Sequence, residues 1–278
     1  IDALAHFDDA ESLSTLKWLS SRDGESKLSA TISLYRRDPE DGIYGIAQSL
    51  AVAETQEEVT ALLDPVFERS GATVALANVF KESGLGPDLA KRVTRELHER
   101  GRSDEVLQQT LAKSLGADRG RLEYSSALVQ QLLNGARSQG DATRGANVFR
   151  SEFSQCHRCH RIAEQGGTIG PDLTNVGKGL SAEIIVESLL WPNRQIKEGY
   201  VATAVSTVDG RIETGYLVKR ANEKTLVLKD ARTGRLIYLA RDEIDQQQQA
   251  LSLMPEGLTR LMTTRELHDL LAYLLQGH

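Results

Sequence analysis

The first half of the chain repeats apolar residues three and four positions apart, a pattern typical of amphipathic helices. The clearest stripe follows Thr55 and Glu58, which form a capping-box pair, and Pro65 is expected to kink or split that helix. Ser103 is expected to cap a later helix. Glycines separate the segments, so the sequence predicts an all-helical domain of stacked α-hairpins, HEAT-like in kind, over residues 1–138.

The pattern changes twice in the second half, residues 139–278. A helix is expected to begin near Asp141, and a last helix with a leucine stripe is expected over residues 263–275. Between them, residues 198–249 alternate apolar and polar side chains. The candidate strands are residues 200–208, 211–219, 225–229 and 235–239. The sequence therefore predicts a mainly α fold with a small antiparallel β insertion.

Composition and charge narrow the function classes. The chain has 278 residues, of which 40% are hydrophobic and 26% charged, as is ordinary for a folded globular protein. No uncharged apolar run approaches the roughly 18 residues that a bilayer requires, so no transmembrane segment is expected. The whole net charge of −6 lies in residues 1–140, and nothing is basic enough to suggest nucleic acid binding. The acidic half is expected to offer a docking surface for a partner protein.

The two cysteines of the chain, Cys156 and Cys159, begin a C-x-x-C-H sequence that ends at His160. Two thiols cannot make a disulfide framework for a chain of this size. On a helical turn, positions i, i+3 and i+4 share a face, so both thiols can bond to porphyrin vinyl groups while His160 reaches the iron. The sequence therefore predicts one covalent c-type haem, with His160 as a ligand whose other ring nitrogen needs an acceptor.

Three other interpretations of this motif remain open. A zinc site would need further Cys or His ligands from distant parts of the chain. A dithiol redox pair would be expected after a strand of a βαβ unit, and here the context is helical. The third alternative is a chance spacing. The remaining histidines outside the motif have no ligand-like spacing and are expected at the surface; they are His6, His98, His268 and His278.

The sixth iron ligand is expected to be a methionine, and the chain has two. Met254 precedes a proline in a loop context, whereas Met262 lies near the last helix and is better suited to the core. Met254 is far from His160 in sequence for a compact haem domain, unless residues 198–249 are an insertion. On that interpretation Met254 is the predicted ligand.

These motifs resemble the class I c-type cytochromes. In that family the first and last helices cross at small and aromatic residues, which here are Gly145, Phe149 and Tyr273. The segment Gly170-Pro171-Asp172-Leu173 is similar to the Gly-Pro-x-Leu segment of that family. The resemblance implies that the carbonyl of Pro171 accepts the second proton of His160.

The ordered set of motifs more specifically resembles the haem-binding domain of Planctomycetes and Verrucomicrobia over roughly residues 140–278. That set comprises C-x-x-C-H, Gly-Pro-Asp-Leu, a Trp-Pro-Asn turn at residues 191–193 and S-L-M-P-E-G-L before the terminal helix. In that family the domain is often the C-terminal end of a larger protein, and this chain begins with Ile1. The chain is therefore expected to be a processed product or a fragment.

The expected function is single-electron transfer, with a redox protein or a fused dehydrogenase domain as partner. No nucleophile–base set suggests that the chain is itself an enzyme. Covalent haem attachment in bacteria takes place outside the cytoplasmic membrane, so a periplasmic or otherwise exported location is expected. Two other function classes remain open, namely a haem sensor in which Met254 is displaceable, and an interaction module in which the haem is auxiliary.

Overall fold

The computed structural model describes residues 9–22, 24, 26–116, 122–218, 224–230 and 232–276. It is mainly helical with a small antiparallel sheet, which confirms the predicted fold class at that level. Its contacts divide the chain into two compact units, Ile1–Arg119 and Gly120–His278. Among the described residues, no helix has both the length and the apolar character needed to cross a bilayer.

The first unit is a succession of short helices. They are α1 (Ala10–Ser20), α2 (Ser26–Arg37), α3 (Pro39–Val52), α4 (Gln56–Phe67), α5 (Ala72–Ser83), α6 (Pro87–Glu99) and α7 (Glu105–Ser114). Helices α2 and α3, α4 and α5, and α6 and α7 pack as consecutive pairs. The pairs also stack, with α2, α4 and α6 forming one row and α3, α5 and α7 the other. Leu50, Leu63 and Leu76 are fully buried in the core of this unit.

Helix α4 confirms one local prediction and corrects another. Its capping box is present, with the side chains of Thr55 and Glu58 each bonded to the backbone of the other. The helix is not split at Pro65, because it continues to Phe67. Pro65 lies in the last turn, so its missing N–H removes only one hydrogen bond from the helix.

Helix α7 begins one residue later than its expected cap. The residue at the cap position is Asp104 rather than Ser103, and its side chain makes no capping bond. Its carboxylate instead accepts hydrogen bonds from Thr73 Oγ1 at 3.0 Å and Arg102 Nε at 2.8 Å. These contacts with side chains outside α7 replace the predicted local cap.

A buried carboxylate on α6 links this helix to α4. Glu96 is 2% exposed and accepts hydrogen bonds from Arg100 Nε at 2.6 Å, Thr60 Oγ1 at 2.8 Å and Gln56 Nε2 at 3.1 Å. Burial alone would raise the pKa of Glu96, but these hydrogen bonds hold it below its ordinary value. The side chain is therefore ionised and satisfied inside the unit.

The second unit combines helices with two sheets. In chain order its elements are α8 (Ser126–Gln139), α9 (Ala142–Arg150), α10 (Cys156–Cys159), β1 (Arg161–Ile162), β2 (Gln165–Gly166), α11 (Val176–Gly179), α12 (Ala182–Leu190), β3 (Val201–Thr207), β4 (Ile212–Leu217), β5 (Thr225–Asp230), β6 (Leu236–Ala240), β7 (Ile244–Ser252) and α13 (Thr264–Gln276). Strands β1 and β2 form a small hairpin. The other strands of the described residues form one antiparallel sheet in the order β6-β5-β4-β3-β7.

The sheet confirms the four candidate strands as β3 to β6, with Lys219 of the second candidate outside the described residues. Strand β7 was not predicted. Its sequence runs through four consecutive glutamines and lacks the apolar alternation of the other strands. It nevertheless pairs along β3, because backbone bonds rather than side chains define an edge strand of this kind.

The division between the units lies before α8, earlier than the predicted boundary at residue 138. Helix α8 packs on α12 and α13, and its side chains Val129, Leu132 and Leu133 belong to the core of the second unit. Residue 138 lies in the last turn of α8, and only residues 140–141 separate α8 from α9. Charge and composition indicated a domain boundary there, but the packing of the apolar face of α8 places the boundary earlier.

Helices α9 and α13 cross at Gly145. A Cβ atom on this residue would lie 2.0 Å from the carbonyl oxygen of Asp269, so only glycine permits this approach. The rings of Phe149 and Tyr273 pack beside the crossing with their centroids 5.8 Å apart. Asp269 also accepts from Arg144 Nε at 2.7 Å and Nη2 at 2.8 Å. The predicted packing of these two helices at small and aromatic residues is confirmed.

One histidine departs from its expected place. His268 on α13 is 8% exposed, and its ring lies against Gly135 of α8, where a Cβ atom would be 2.1 Å from Nε2. The prediction that His268 lies at the surface was wrong, because the glycine that makes room for its ring lies on another helix. His98 is exposed as expected, and His6 and His278 lie outside the described residues.

Candidate functional site

The two cysteines lie on one helical turn, α10. Gln155, just before the turn, adopts a left-handed backbone with a φ of 53°. His160 follows the turn in an extended conformation, and its N–H donates to the carbonyl of Cys156 at 2.9 Å. Both thiols are free and half-buried. The local fold thus presents two thiols and one imidazole within five consecutive residues.

The imidazole of His160 is held by the carbonyl of Pro171. Its Nδ1 lies 2.9 Å from that oxygen, which can only accept a hydrogen bond, so we assign the proton to Nδ1 and a lone pair to Nε2. Burial lowers the pKa of His160, and the Pro171 bond offsets part of that effect. The ring is therefore neutral at pH 7, which is the form that binds a metal. The contact between Pro171 and His160 that the resemblance implied is therefore present.

Backbone hydrogen bonds fix the segment that carries this carbonyl. The N–H of Gly170 donates to the carbonyl of Cys159 at 2.7 Å, and the N–H of Leu173 donates to that of Arg161 at 2.8 Å. Gly170 also lies flat against the His160 ring, since a Cβ atom there would be 2.6 Å from Cε1 and 2.7 Å from Nδ1. Residues 170–173 therefore run beside residues 159–161 at a distance that only a glycine allows.

An ion pair adds a second link between the same two segments. Asp172 accepts from Arg161 Nε at 3.0 Å and Nη2 at 2.7 Å, and from the Thr174 N–H at 2.8 Å. The bonds from Thr174, followed by those from Arg161, lower the pKa of Asp172 to about 2. The pair joins the residue that follows His160 to the residue that follows Pro171. Sequence reasoning missed this role of Asp172, although the Gly-Pro-Asp-Leu segment contained the residue.

Cys156 and the predicted ligand Met254 pack against the same apolar core, that of the second unit. Leu173 is also partly buried there. Burial raises the pKa of the Cys156 thiol. The N–H of Met254 donates to Ser252 Oγ at 3.1 Å, which anchors the loop after β7. Met262 is 1% exposed inside that core, in agreement with its predicted packing role.

The residues of this site fit a covalently bound haem. Within the described residues, Nε2 of His160 has no hydrogen-bond partner, both thiols are free, and a thioether lies on the same apolar core. Gly170 packs directly against the imidazole, where a side chain would displace the ring. A zinc ion would ordinarily need four Cys or His ligands, and no three His, Cys, Asp or Glu side chains converge in the part of the chain described.

Comparison with known proteins adds no family to this description. A scan of the chain against protein-family models finds no match, and a search of the curated proteins finds none. The donor set around His160 and its geometry are therefore the basis for assigning a function.

Proposed function

We propose that the second unit is a monohaem c-type cytochrome domain that transfers single electrons. Cys156 and Cys159 would hold the haem covalently, and His160 and Met254 would ligate its iron. The observation that carries this proposal is the His160–Pro171 bond next to two free thiols on one helical turn. A neutral imidazole with Nδ1 occupied directs its free Nε2 to a metal.

When bound, the haem takes up and releases one electron. The chain supplies the surroundings for that exchange. The two thiols tether the group, and the Pro171 carbonyl keeps His160 in one tautomer and one orientation. The apolar core that Cys156 and Met254 pack against excludes water, and Met254 as a thioether ligand would favour the reduced iron. A thioether ligand in place of an open coordination site would also favour electron transfer over oxygen activation.

The packing of each unit supports a finer fold proposal. In the second unit, the crossing of α9 and α13 at Gly145 supports a class I cytochrome fold with β3 to β7 as an insertion. In the first unit, paired helices in two stacked rows support a short HEAT-like array. We further propose membership of the haem-binding domain family of Planctomycetes and Verrucomicrobia, an exported location, and a dehydrogenase or respiratory partner.

The direct test is expression of the chain with a bacterial c-type haem maturation system. We expect the denatured chain to be heavier by the mass of one haem. Its band on a denaturing gel should also stain for haem. A Cys156→Ala/Cys159→Ala variant is the negative control, because both thioether links are absent. A wild-type chain that folds in that system and carries no covalent haem would refute the proposed function.

Met254→Ala is expected to remove the weak long-wavelength absorption band that methionine ligation gives ferric haem. The reduced variant should bind carbon monoxide, since its sixth position is open, and its reduction potential should fall because the thioether is lost. Met262→Leu is the matched control, since Met262 lies in the core and a volume-conserving change should leave the spectrum intact. Ready binding of carbon monoxide to the reduced wild-type protein would favour a sensor instead.

A further inference from the structure

The Trp-Pro-Asn turn after α12 contacts the loop that carries Met254. Asn193 Oδ1 accepts a hydrogen bond from the N–H of Ser252 at 2.8 Å, and Asn193 Nδ2 donates to Glu256 Oε1 at 2.7 Å. These partners fix the orientation of the amide, because a backbone N–H only donates and a carboxylate only accepts. One side chain thus holds both the residue two positions before Met254 and the residue two positions after it.

The turn that carries Asn193 is itself held by the core of the second unit. Trp191, which follows α12, is buried in that core, and its Nε1 donates to the carbonyl of Leu122 at 2.6 Å. The N–H of Arg194 donates to the carbonyl of Trp191 at 2.9 Å, which closes a turn with Pro192 at its second position. Proline fixes φ at that position, so the backbone of the turn has few alternative conformations.

Ser252 connects Asn193 to Met254. Its N–H donates to Asn193, and its Oγ accepts from the N–H of Met254 at 3.1 Å. Ser252 is also the last residue of β7, and the pairing of β7 with β3 is irregular next to it. Irregular pairing of this kind bends a strand and interrupts the bonds between strands. The amide of Asn193 therefore takes over the N–H of Ser252 at the point where the chain leaves the sheet for Met254.

We propose that Asn193 is a positioning residue for Met254, the thioether ligand. This inference rests on the proposed function. A loop that is held on both sides of Met254 loses less conformational freedom when the sulfur binds, so the bound arrangement is populated for a larger fraction of the time. The two bonds of Asn193 therefore make Met254 harder to displace, which favours electron transfer over the sensing of a small ligand.

The contact is tested first on the full-length, haem-free chain by hydrogen exchange of single amides. Asn193→Ala removes the acceptor of the Ser252 N–H, so exchange of that amide should become about threefold to tenfold faster, as for the loss of one hydrogen bond. Asn193→Asp keeps an oxygen there and should exchange at the wild-type rate. Gln195→Ala is the matched control, since Gln195 is exposed two residues further along. Unchanged exchange of the Ser252 amide in a folded Asn193→Ala chain overturns the proposal.

The effect on the ligand is tested on the haem-loaded, reduced chain by the rate at which carbon monoxide binds. Carbon monoxide can enter only when Met254 has left, so this rate reports how firmly the loop holds the thioether. Asn193→Ala should bind carbon monoxide about threefold to tenfold faster than the wild type. Asn193→Asp should also bind it faster, because this variant loses the donor to Glu256 and sets two carboxylates side by side. Gln195→Ala should bind it at the wild-type rate.

The two Asn193 variants keep the inference separate from the proposed function. A wild-type rate of carbon monoxide binding in both folded variants overturns the inference, and Asn193→Asp decides alone if Asn193→Ala does not fold. A wild-type chain that binds no haem refutes the proposed function instead. Exchange of the Ser252 amide in the haem-free chain would then still decide whether Asn193 holds this loop.

Discussion

A Gly145→Ala chain is expected to lose much of the stability of its second unit. The new methyl group would lie 2.0 Å from a backbone oxygen of Asp269, and a backbone atom inside a helix cannot turn aside. Helices α9 and α13 would therefore have to separate, which also loosens the Phe149–Tyr273 contact. Overpacking that side chains absorb costs about 1–3 kcal/mol, and we expect about 3 kcal/mol or more here. Hydrogen exchange of the α9 and α13 amides in increasing urea measures this loss.

Gly45→Ala provides the control for that experiment. Gly45 is also inside a helix, and the nearest atom to a Cβ there is Thr31 Cγ2 at the ordinary distance of 3.7 Å. Alanine favours a helix interior over glycine by about 0.5–1 kcal/mol, so this variant should be as stable as the wild type or slightly more so. If the two alanine variants proved equally stable, the close crossing at Gly145 would be wrong.

A Gly170→Ala chain is expected to load haem poorly. Its methyl group would lie 2.6 Å from Cε1 of His160, so the imidazole would have to swing away from the carbonyl of Pro171. Loss of such an orienting contact typically reduces metal affinity by about 10–100-fold, and we expect haem occupancy to fall accordingly. The ratio of haem to protein after maturation measures this effect.

Gly179→Ala is the matched variant for this second experiment. It lies in the same unit, and no atom is within 4 Å of a Cβ placed there. Its haem content should equal that of the wild type. Equal haem content in Gly170→Ala would show that the imidazole does not depend on this close approach. NMR chemical shifts of the His160 ring nitrogens in the haem-free chain give a second readout that does not require haem loading.

Local patterns in the sequence predicted some helix starts, although the cap of α7 lies one residue after the predicted Ser103. The predicted capping box of Thr55 and Glu58 forms, and a second box joins Thr263 and Glu266 at the start of the last helix. Each box needs only residues that are three positions apart, so nothing distant in the chain can change it. The same holds for the helical turn of the cysteine motif, where sequence spacing alone determines the shared face.

Long-range pairing accounts for what the sequence did not predict. Strand β7 is held by β3, and α8 belongs with α12 and α13 although it lies before the predicted boundary at residue 138. The apolar stripe of α8 would suit either unit, and the glutamine run of β7 has no pattern of its own. In both cases, the element that packs or pairs with the segment decides which unit or sheet the segment joins.

The same distinction between local patterns and long-range packing applies to the residues of the candidate site. Cys156, Cys159, His160 and Pro171 were all visible as a local motif or through a resemblance. The Asp172–Arg161 ion pair was not, because it depends on how two separate segments lie beside each other in the folded chain.

The hydrogen bonds between residues 159–161 and 170–173 also bear on the order of assembly. All the groups that orient His160 lie within a stretch of chain that ends at Leu173, whereas Met254 follows only after the inserted sheet. In the order of synthesis, the cysteine turn and the groups that hold the imidazole of His160 are therefore complete before Met254 is made. Under the proposed function, the two thiols and the oriented imidazole would be available to a haem earlier than the methionine ligand.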